Sequence, residues 1–147
     1  MIKMNTITLV SFLALCFYSA YAYLDPKKYG EKLSKKGNEW HDICTDVTGA
    51  TDEMIRQVRD GNFIEEEKMK RYILCLWRVS RIMDRNMKVD HVVLKEVLPE
   101  VRHGSFPQET RDCLVNSRNL DLKENYDKIY EFEKCMYKLN PEEFIMF

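Results

Sequence analysis

The chain has 147 residues, of which 23 are basic and 24 acidic, and its net charge is −1. Because the basic residues are scattered among acidic ones, the sequence offers no nucleic-acid-binding surface. The three histidines lie too far apart to form a metal motif, so we expect neither a metal nor a cofactor.

The first 22 residues predict a cleaved secretory signal peptide. Lys3 precedes an apolar run, and Ala20 and Ala22 frame a small-residue cleavage motif. The run is shorter than the roughly 20 residues that a bilayer span needs, so we expect no membrane insertion after cleavage. Residues 23–147 are then predicted to form one domain in an oxidising extracellular compartment.

The rest of the chain predicts six helices, because apolar residues recur three and four positions apart and alternating strand patterns are missing. Thr51 and Asp90 are the predicted N-caps of the second and fourth helices, and Gly61 ends the second. Six helices joined by short polar turns indicate an all-α domain. The predicted ranges are about 25–45, 51–61, 64–83, 90–98, 105–118 and 120–139.

The last predicted helix carries a stripe of apolar residues on one face, as expected for a helix that packs on a core. A short apolar tail, residues 140–147, follows it. The stripe consists of Tyr126, Ile129, Phe132, Met136 and Leu139.

Four cysteines remain after removal of Cys16 with the signal peptide, and an even number in a secreted chain indicates disulfides. Each bridge between helices is expected to stabilise the fold by roughly 3–4 kcal/mol. The residues alone leave all three pairings open. The four are Cys44, Cys75, Cys113 and Cys135.

The cysteine spacing resembles that of insect odorant-binding proteins, a family that includes pheromone-binding proteins. Thirty residues separate Cys44 from Cys75 and thirty-seven separate Cys75 from Cys113, while an acidic Thr-Gly segment follows Cys44. In this alignment Arg71 and Tyr126 occupy the positions of the family's second and fifth cysteines, which form one bridge. The sequence is therefore similar to the four-cysteine "minus-C" subclass, in which one complete pair is lost.

The resemblance implies a compact six-helix domain around an internal apolar cavity. It also implies disulfides that pair Cys44 with Cys75 and Cys113 with Cys135. Arg71 and Tyr126 would face each other at the missing bridge, where the arginine is expected to stack on the ring or donate to its hydroxyl, for about 0.5–1 kcal/mol. The alternative is that Arg71 points to solvent.

The resemblance further implies a secreted carrier that transports small hydrophobic molecules, such as odorants or pheromones, through sensillum lymph, haemolymph or gland secretion. An odorant receptor or a second copy of the chain are the implied protein partners. In the tail, Phe144, Met146 and Phe147 would form a lid or wall of the cavity. The alternatives are that they pack on an external groove or mediate dimerisation. The implied ligand-binding residues are Met54, Trp77, Val93, Val97, Leu114, Ile129, Phe132, Met136, Phe144, Met146 and Phe147.

Two other functions compete with the carrier. The same scaffold could act by contacting another protein in haemolymph, reproductive or glandular fluid. Alternatively, His41, Asp42 and Cys44 match the His-Asp-x-Cys segment of secreted phospholipases A2, in which the histidine activates water. The adjacent cysteines and glycine-rich calcium loop of those enzymes are missing, so we expect a binding protein and not an enzyme.

Overall fold

The structure, a computed structural model, describes residues 26–98 and 107–146. The predicted signal peptide, the predicted start of the fifth helix at Ser105, and Phe147 lie outside these residues. Within them the chain is helical, and a single antiparallel bridge joins Met83 to Val89. The helices are α1 (Pro26–Tyr29), α2 (Glu31–Thr48), α3 (Asp52–Arg59), α4 (Glu67–Val79), α5 (His91–Val97), α6 (Gln108–Arg118) and α7 (Asn125–Leu139).

The structure confirms the all-α prediction and both predicted N-caps. The Thr51 hydroxyl accepts a hydrogen bond from the Met54 amide at 3.3 Å. The Asp90 carboxylate accepts bonds from the first amides of α5. These side chains satisfy amide donors that have no partner inside a helix, which is why the helices begin where the sequence predicts.

The first predicted helix, 25–45, begins where the structure has α1, but the prediction missed a break and ended the helix too early. It is divided at Gly30, whose φ of 80° lies in a region that glycine adopts readily, and α2 then continues to Thr48. Gly49 ends α2 in the left-handed conformation, and its amide donates to the carbonyl of Thr45.

The predictions for the third and last helices were also wrong in extent. The third ends at Val79 and not at residue 83, because Arg81 has a φ of 59° and turns the chain into a loop. The last begins at Asn125, not at residue 120. Leu139, assigned to its apolar stripe, is 47% exposed, because it lies in the last turn of α7 beyond the packed part of the helix.

Two disulfides brace the packing of the helices. Cys44 of α2 is bonded to Cys75 of α4, and Cys113 of α6 is bonded to Cys135 of α7. These are the pairs that the family resemblance implied. The helices α2, α4, α7 and α6 therefore form a continuous series in which each packs on the next, with the core between them.

The contact between α4 and α7 is noncovalent. Lys70 and Arg71 at the start of α4 contact Asp127 and Tyr126 at the start of α7. The guanidinium carbon of Arg71 lies 5.0 Å from the centre of the Tyr126 ring, so the predicted stacking contact is present. Arg71 also binds Glu67 of its own helix.

Among the described residues, no helix is both long and apolar enough to cross a bilayer.

Candidate functional site

The predicted ligand-binding residues that the structure describes all belong to one hydrophobic core or pack against it. Six are buried, and the other four are partly buried at its margin. The structure therefore brings together residues from α3, α4, α5, α6, α7 and the tail. The buried residues are Trp77, Val97, Leu114, Ile129, Phe132 and Met146, and the marginal ones are Met54, Val93, Met136 and Phe144.

Methionines and aromatic rings make up much of this interior. Met69, Met83 and Met87 are buried within it, and the rings of Trp77 and Phe132 lie 5.8 Å apart across the α4–α7 contact. Unbranched methionine side chains adopt many shapes at low energetic cost, so they fill irregular gaps in such an interior.

One carboxyl group lies inside this apolar core. Glu133 of α7 is 2% exposed, and its Oε1 accepts a hydrogen bond of 2.6 Å from the indole Nε1 of Trp77. Its other oxygen, Oε2, is buried and has no hydrogen-bond partner among the described residues. An unpaired polar atom buried in this way costs about 1–3 kcal/mol, so it needs an explanation.

Burial controls the charge of this group. It raises the pKa of Glu133 to about 8, although the hydrogen bond from Trp77 acts in the opposite direction. At neutral pH the side chain is therefore mainly the uncharged acid, which has one O–H to donate. Because Oε1 accepts from the indole, we assign the acid proton to Oε2, which has no described hydrogen-bond partner.

The sequence interpretation missed Glu133. It sits four residues after Ile129 and next to Phe132, so the helical period places it on the buried face of α7. A charged residue at a position that the period assigns to the core was the signal that could have identified it.

The C-terminal tail folds back onto its own domain. Phe144 contacts the rings of Phe63 and Tyr137, with ring centres 6.2 and 5.3 Å away. Met146 is 3% exposed, and its carbonyl accepts a hydrogen bond from Arg59 of α3. The described part of the tail thus covers one side of the hydrophobic core, and Phe147, the last of the predicted tail residues, lies outside the described chain.

Residues 26–139 match the PBP/GOBP family. The match extends over well more than half of the 147 residues. The chain belongs to the PBP/GOBP family. Membership confirms the family resemblance and makes the chain a small-ligand-binding protein of a family whose members are binding proteins and not enzymes. Assignment to the four-cysteine subclass stays a prediction.

Two proteins of Tenebrio molitor are similar to this PBP/GOBP chain. The B2 protein is 26% identical over 103 residues, which cover 69% of this chain and 77% of that protein. The B1 protein is 25% identical over 103 residues, covering 69% of this chain and 75% of that protein.

Solved structures show the same fold. Apis mellifera odorant binding protein 5 matches with a TM-score of 0.57 and 20% identity, covering 79% of this chain and 95% of that protein. Odorant binding protein 4 of the predator Chrysopa pallens matches with a TM-score of 0.59 and 24% identity, covering 78% and 95% respectively.

The histidine of the phospholipase-like segment takes part in a contact between elements of this PBP/GOBP fold. His41 Nδ1 is 2.9 Å from the hydroxyl of Tyr72, and its Nε2 is 3.5 Å from the carboxylate of Asp52. Burial lowers the pKa of the ring, against the effect of the nearby Asp52 and Asp42 carboxylates. The adjacent Asp42 is exposed. His41 thus links α2 to α4 and to the start of α3.

A concave feature lies at the surface, where the loop between α4 and α5 folds. Its volume is about 640 Å³, and basic side chains outnumber acidic ones in its lining. The sequence interpretation did not identify it, because its residues come together only through the conformation of the loop. The pocket is lined by Arg78, Arg81, Met83, Asp84, Arg85, Lys88, Val89, Asp90 and His91.

Proposed function

We propose that this protein is a secreted carrier that binds small hydrophobic molecules, such as odorants or pheromones, between its helices and transports them through extracellular fluid. The observation that carries this proposal is that the family fold gathers ten of the eleven proposed ligand-binding residues around one apolar interior. The predicted signal peptide at residues 1–22 supports secretion.

Binding would derive mainly from removing apolar surface of the ligand from water, at about 25 cal/mol per Å². We infer that the ligand occupies a cavity that forms where the methionines and the marginal residues move apart. The marginal residues favour this inference, because Val93 and Met136 are only partly buried and so are less constrained than the centre of the core. In this proposal Phe144 and Met146 form a wall of the cavity.

The test is a titration of the purified, disulfide-bonded protein with the apolar dye N-phenyl-1-naphthylamine, with stoichiometry from native mass spectrometry. We expect one dye per chain. Met136→Ala should weaken the affinity for the dye about tenfold, because it removes an apolar side chain of α7 that would contact the dye. The matched control is Leu139→Ala, one turn later on the same helix and 47% exposed, which should leave affinity unchanged.

Equal effects of the two substitutions would place the dye outside the interior and contradict the cavity. Absence of dye binding would favour the alternative in which the scaffold acts by contacting another protein. Turnover of a phospholipid in the presence of calcium would favour the lipolytic alternative. Deletion of residues 142–147 with unchanged dye affinity would rule out the tail as a wall or lid.

A further inference from the structure

We propose that Glu133 is the specificity-determining residue of the interior, and that its carboxyl group donates a hydrogen bond to an uncharged carbonyl oxygen of the ligand. The preferred ligands would then be mainly apolar ketones, aldehydes or esters, in preference to hydrocarbons of the same shape. This inference rests on the proposed carrier function and names the ligand class of the same interior.

The first argument is the position of the free oxygen. Oε2 of Glu133 is buried in the apolar core, while Oε1 is held at 2.6 Å by the indole N–H of Trp77. Trp77 therefore holds one oxygen of the carboxyl group and leaves the other, buried where α4 packs on α7, without a described partner. The surrounding apolar residues would hold the hydrocarbon part of a ligand, with Phe132 adjacent and Ile129 and Met136 within one turn.

The second argument is the chemical state of the group. The nearby cations of α4 and α7 are bound elsewhere: Lys70 contacts Glu65 and Asp127, and Lys134 contacts Glu65 and Glu131. Burial raises the pKa of Glu133 to about 8, and Trp77 is the one other group that influences it. The carboxyl group therefore stays protonated at neutral pH, which makes Oε2 a hydrogen-bond donor.

A donor in this position selects against hydrocarbons. A hydrocarbon leaves the O–H unpaired, whereas a carbonyl oxygen accepts from it. An ionised fatty acid is disfavoured for a different reason, because burying its carboxylate in the apolar interior costs free energy that one hydrogen bond does not repay. Discrimination should therefore favour an uncharged molecule with one accepting oxygen.

The experiment compares two isosteric ligands, a long-chain methyl ketone and the alkene in which CH₂ replaces the carbonyl oxygen. Each displaces N-phenyl-1-naphthylamine from the native protein, from Glu133→Gln and from Glu133→Met. We expect the native protein to prefer the ketone about tenfold, since one hydrogen bond in an apolar site contributes about that ratio. Glu133→Gln should keep most of the preference, because its amide N–H₂ still donates. Glu133→Met should lose it while still binding the dye.

A spectroscopic readout separates a ligand contact from a purely structural role. The ketone carries ¹³C at its carbonyl, and its C=O stretching band is followed by infrared spectroscopy. The band should shift to lower frequency when the ketone is bound to the native protein or to Glu133→Gln, but not when it is bound to Glu133→Met. An equal ketone-to-alkene ratio in the native protein, or an unchanged ratio in Glu133→Met, would overturn the inference. An unshifted carbonyl band in the native protein would also overturn it.

The outcomes also separate this inference from the carrier proposal. If the native protein binds neither dye nor ketone, both the carrier proposal and the inference about Glu133 are refuted. If dye and both ligands bind without discrimination, the carrier proposal stands and the role of Glu133 alone is refuted. Should Glu133→Met fail to fold by circular dichroism, the native protein and Glu133→Gln still decide through the ratio and the carbonyl band.

Discussion

The disulfide-linked helix pairs and the α4–α7 contact differ in how they are held together. In each pair, α2 with α4 and α6 with α7, a covalent bond fixes the separation of the helices. Between α4 and α7 the structure has an ion pair, a cation–π contact and, in the core, the Trp77–Glu133 hydrogen bond. At the α4–α7 contact the helices can thus move apart without breaking a covalent bond, and this contact is also where the buried carboxyl lies.

The largest expected effect comes from removing a covalent link. Replacing both Cys113 and Cys135 by alanine should lower the free energy of unfolding by about 3–4 kcal/mol, because the bridge closes a loop of 22 residues. Replacing Cys44 and Cys75, which are 31 residues apart, should cost a similar amount. Urea unfolding measures both. A loss below about 1 kcal/mol would show that the disulfides do not constrain the helix pairs as described.

The next effect concerns the core of the α4–α7 contact. The pKa of Glu133 is about 8 in the fold against an ordinary value of 4.5, so the folded protein binds more protons between those pH values. Stability should therefore fall as pH rises through this window. The fall contributed by Glu133 should reach about 3 kcal/mol at pH 7.

Glu133→Gln should remove this dependence. Its advantage over the native protein, measured by urea unfolding, should grow by about 3 kcal/mol between pH 4.5 and pH 7. Glu131→Gln is the matched control, because Glu131 lies on the same helix but its side chain is 41% exposed and pairs with Lys134. Parallel stability curves for Glu133→Gln and the native protein would show that the buried carboxyl is not protonated by folding.

A third prediction converts the noncovalent contact into a covalent one. Arg71 and Tyr126 occupy the positions of the family's missing bridge, so replacing both by cysteine should form a disulfide and raise the free energy of unfolding by about 2 kcal/mol. Thiol counting and urea unfolding under oxidising and reducing conditions check this, with the double serine variant as control. Free thiols after oxidation would contradict the assigned register of α4 against α7.

The smallest predicted effect belongs to the ion pairs at the outer end of the contact. Lys70 is 17% exposed and binds both Glu65 and Asp127, so Lys70→Met should cost about 1 kcal/mol. Arg56→Met is the control, because Arg56 is 64% exposed and its ion pair with Glu53 should contribute little. Equal losses in the two variants would mean that the α4–α7 ion pairs are no stronger than ordinary surface pairs.

Local signals predicted much of this fold. Thr51 and Asp90 gave correct helix starts because an N-cap depends on a few neighbouring residues. The contact between Arg71 and Tyr126 came from the family alignment, which transfers the spatial relation between two helices.

Features that depend on distant parts of the chain were not predictable in the same way. The turn at Arg81 overrides a helical pattern that continues to Met83, because the packed loop stabilises a left-handed residue there. Glu133 was not identified, because the sequence does not show that the indole of Trp77 in α4 lies against it. The basic surface pocket requires the folded loop between α4 and α5 and has no counterpart in any local pattern.

Methyl NMR tests most directly whether the ligand binds inside the helical core. With ¹³C-labelled methionine and isoleucine methyl groups, a methyl ketone is added to the native protein and the shifts are followed residue by residue. We predict saturable changes, at one ligand per chain, in the methyl groups of Met69, Ile129 and Met136, with little change at the exposed Ile43. Changes confined to Ile43 and other exposed methyl groups would contradict the account.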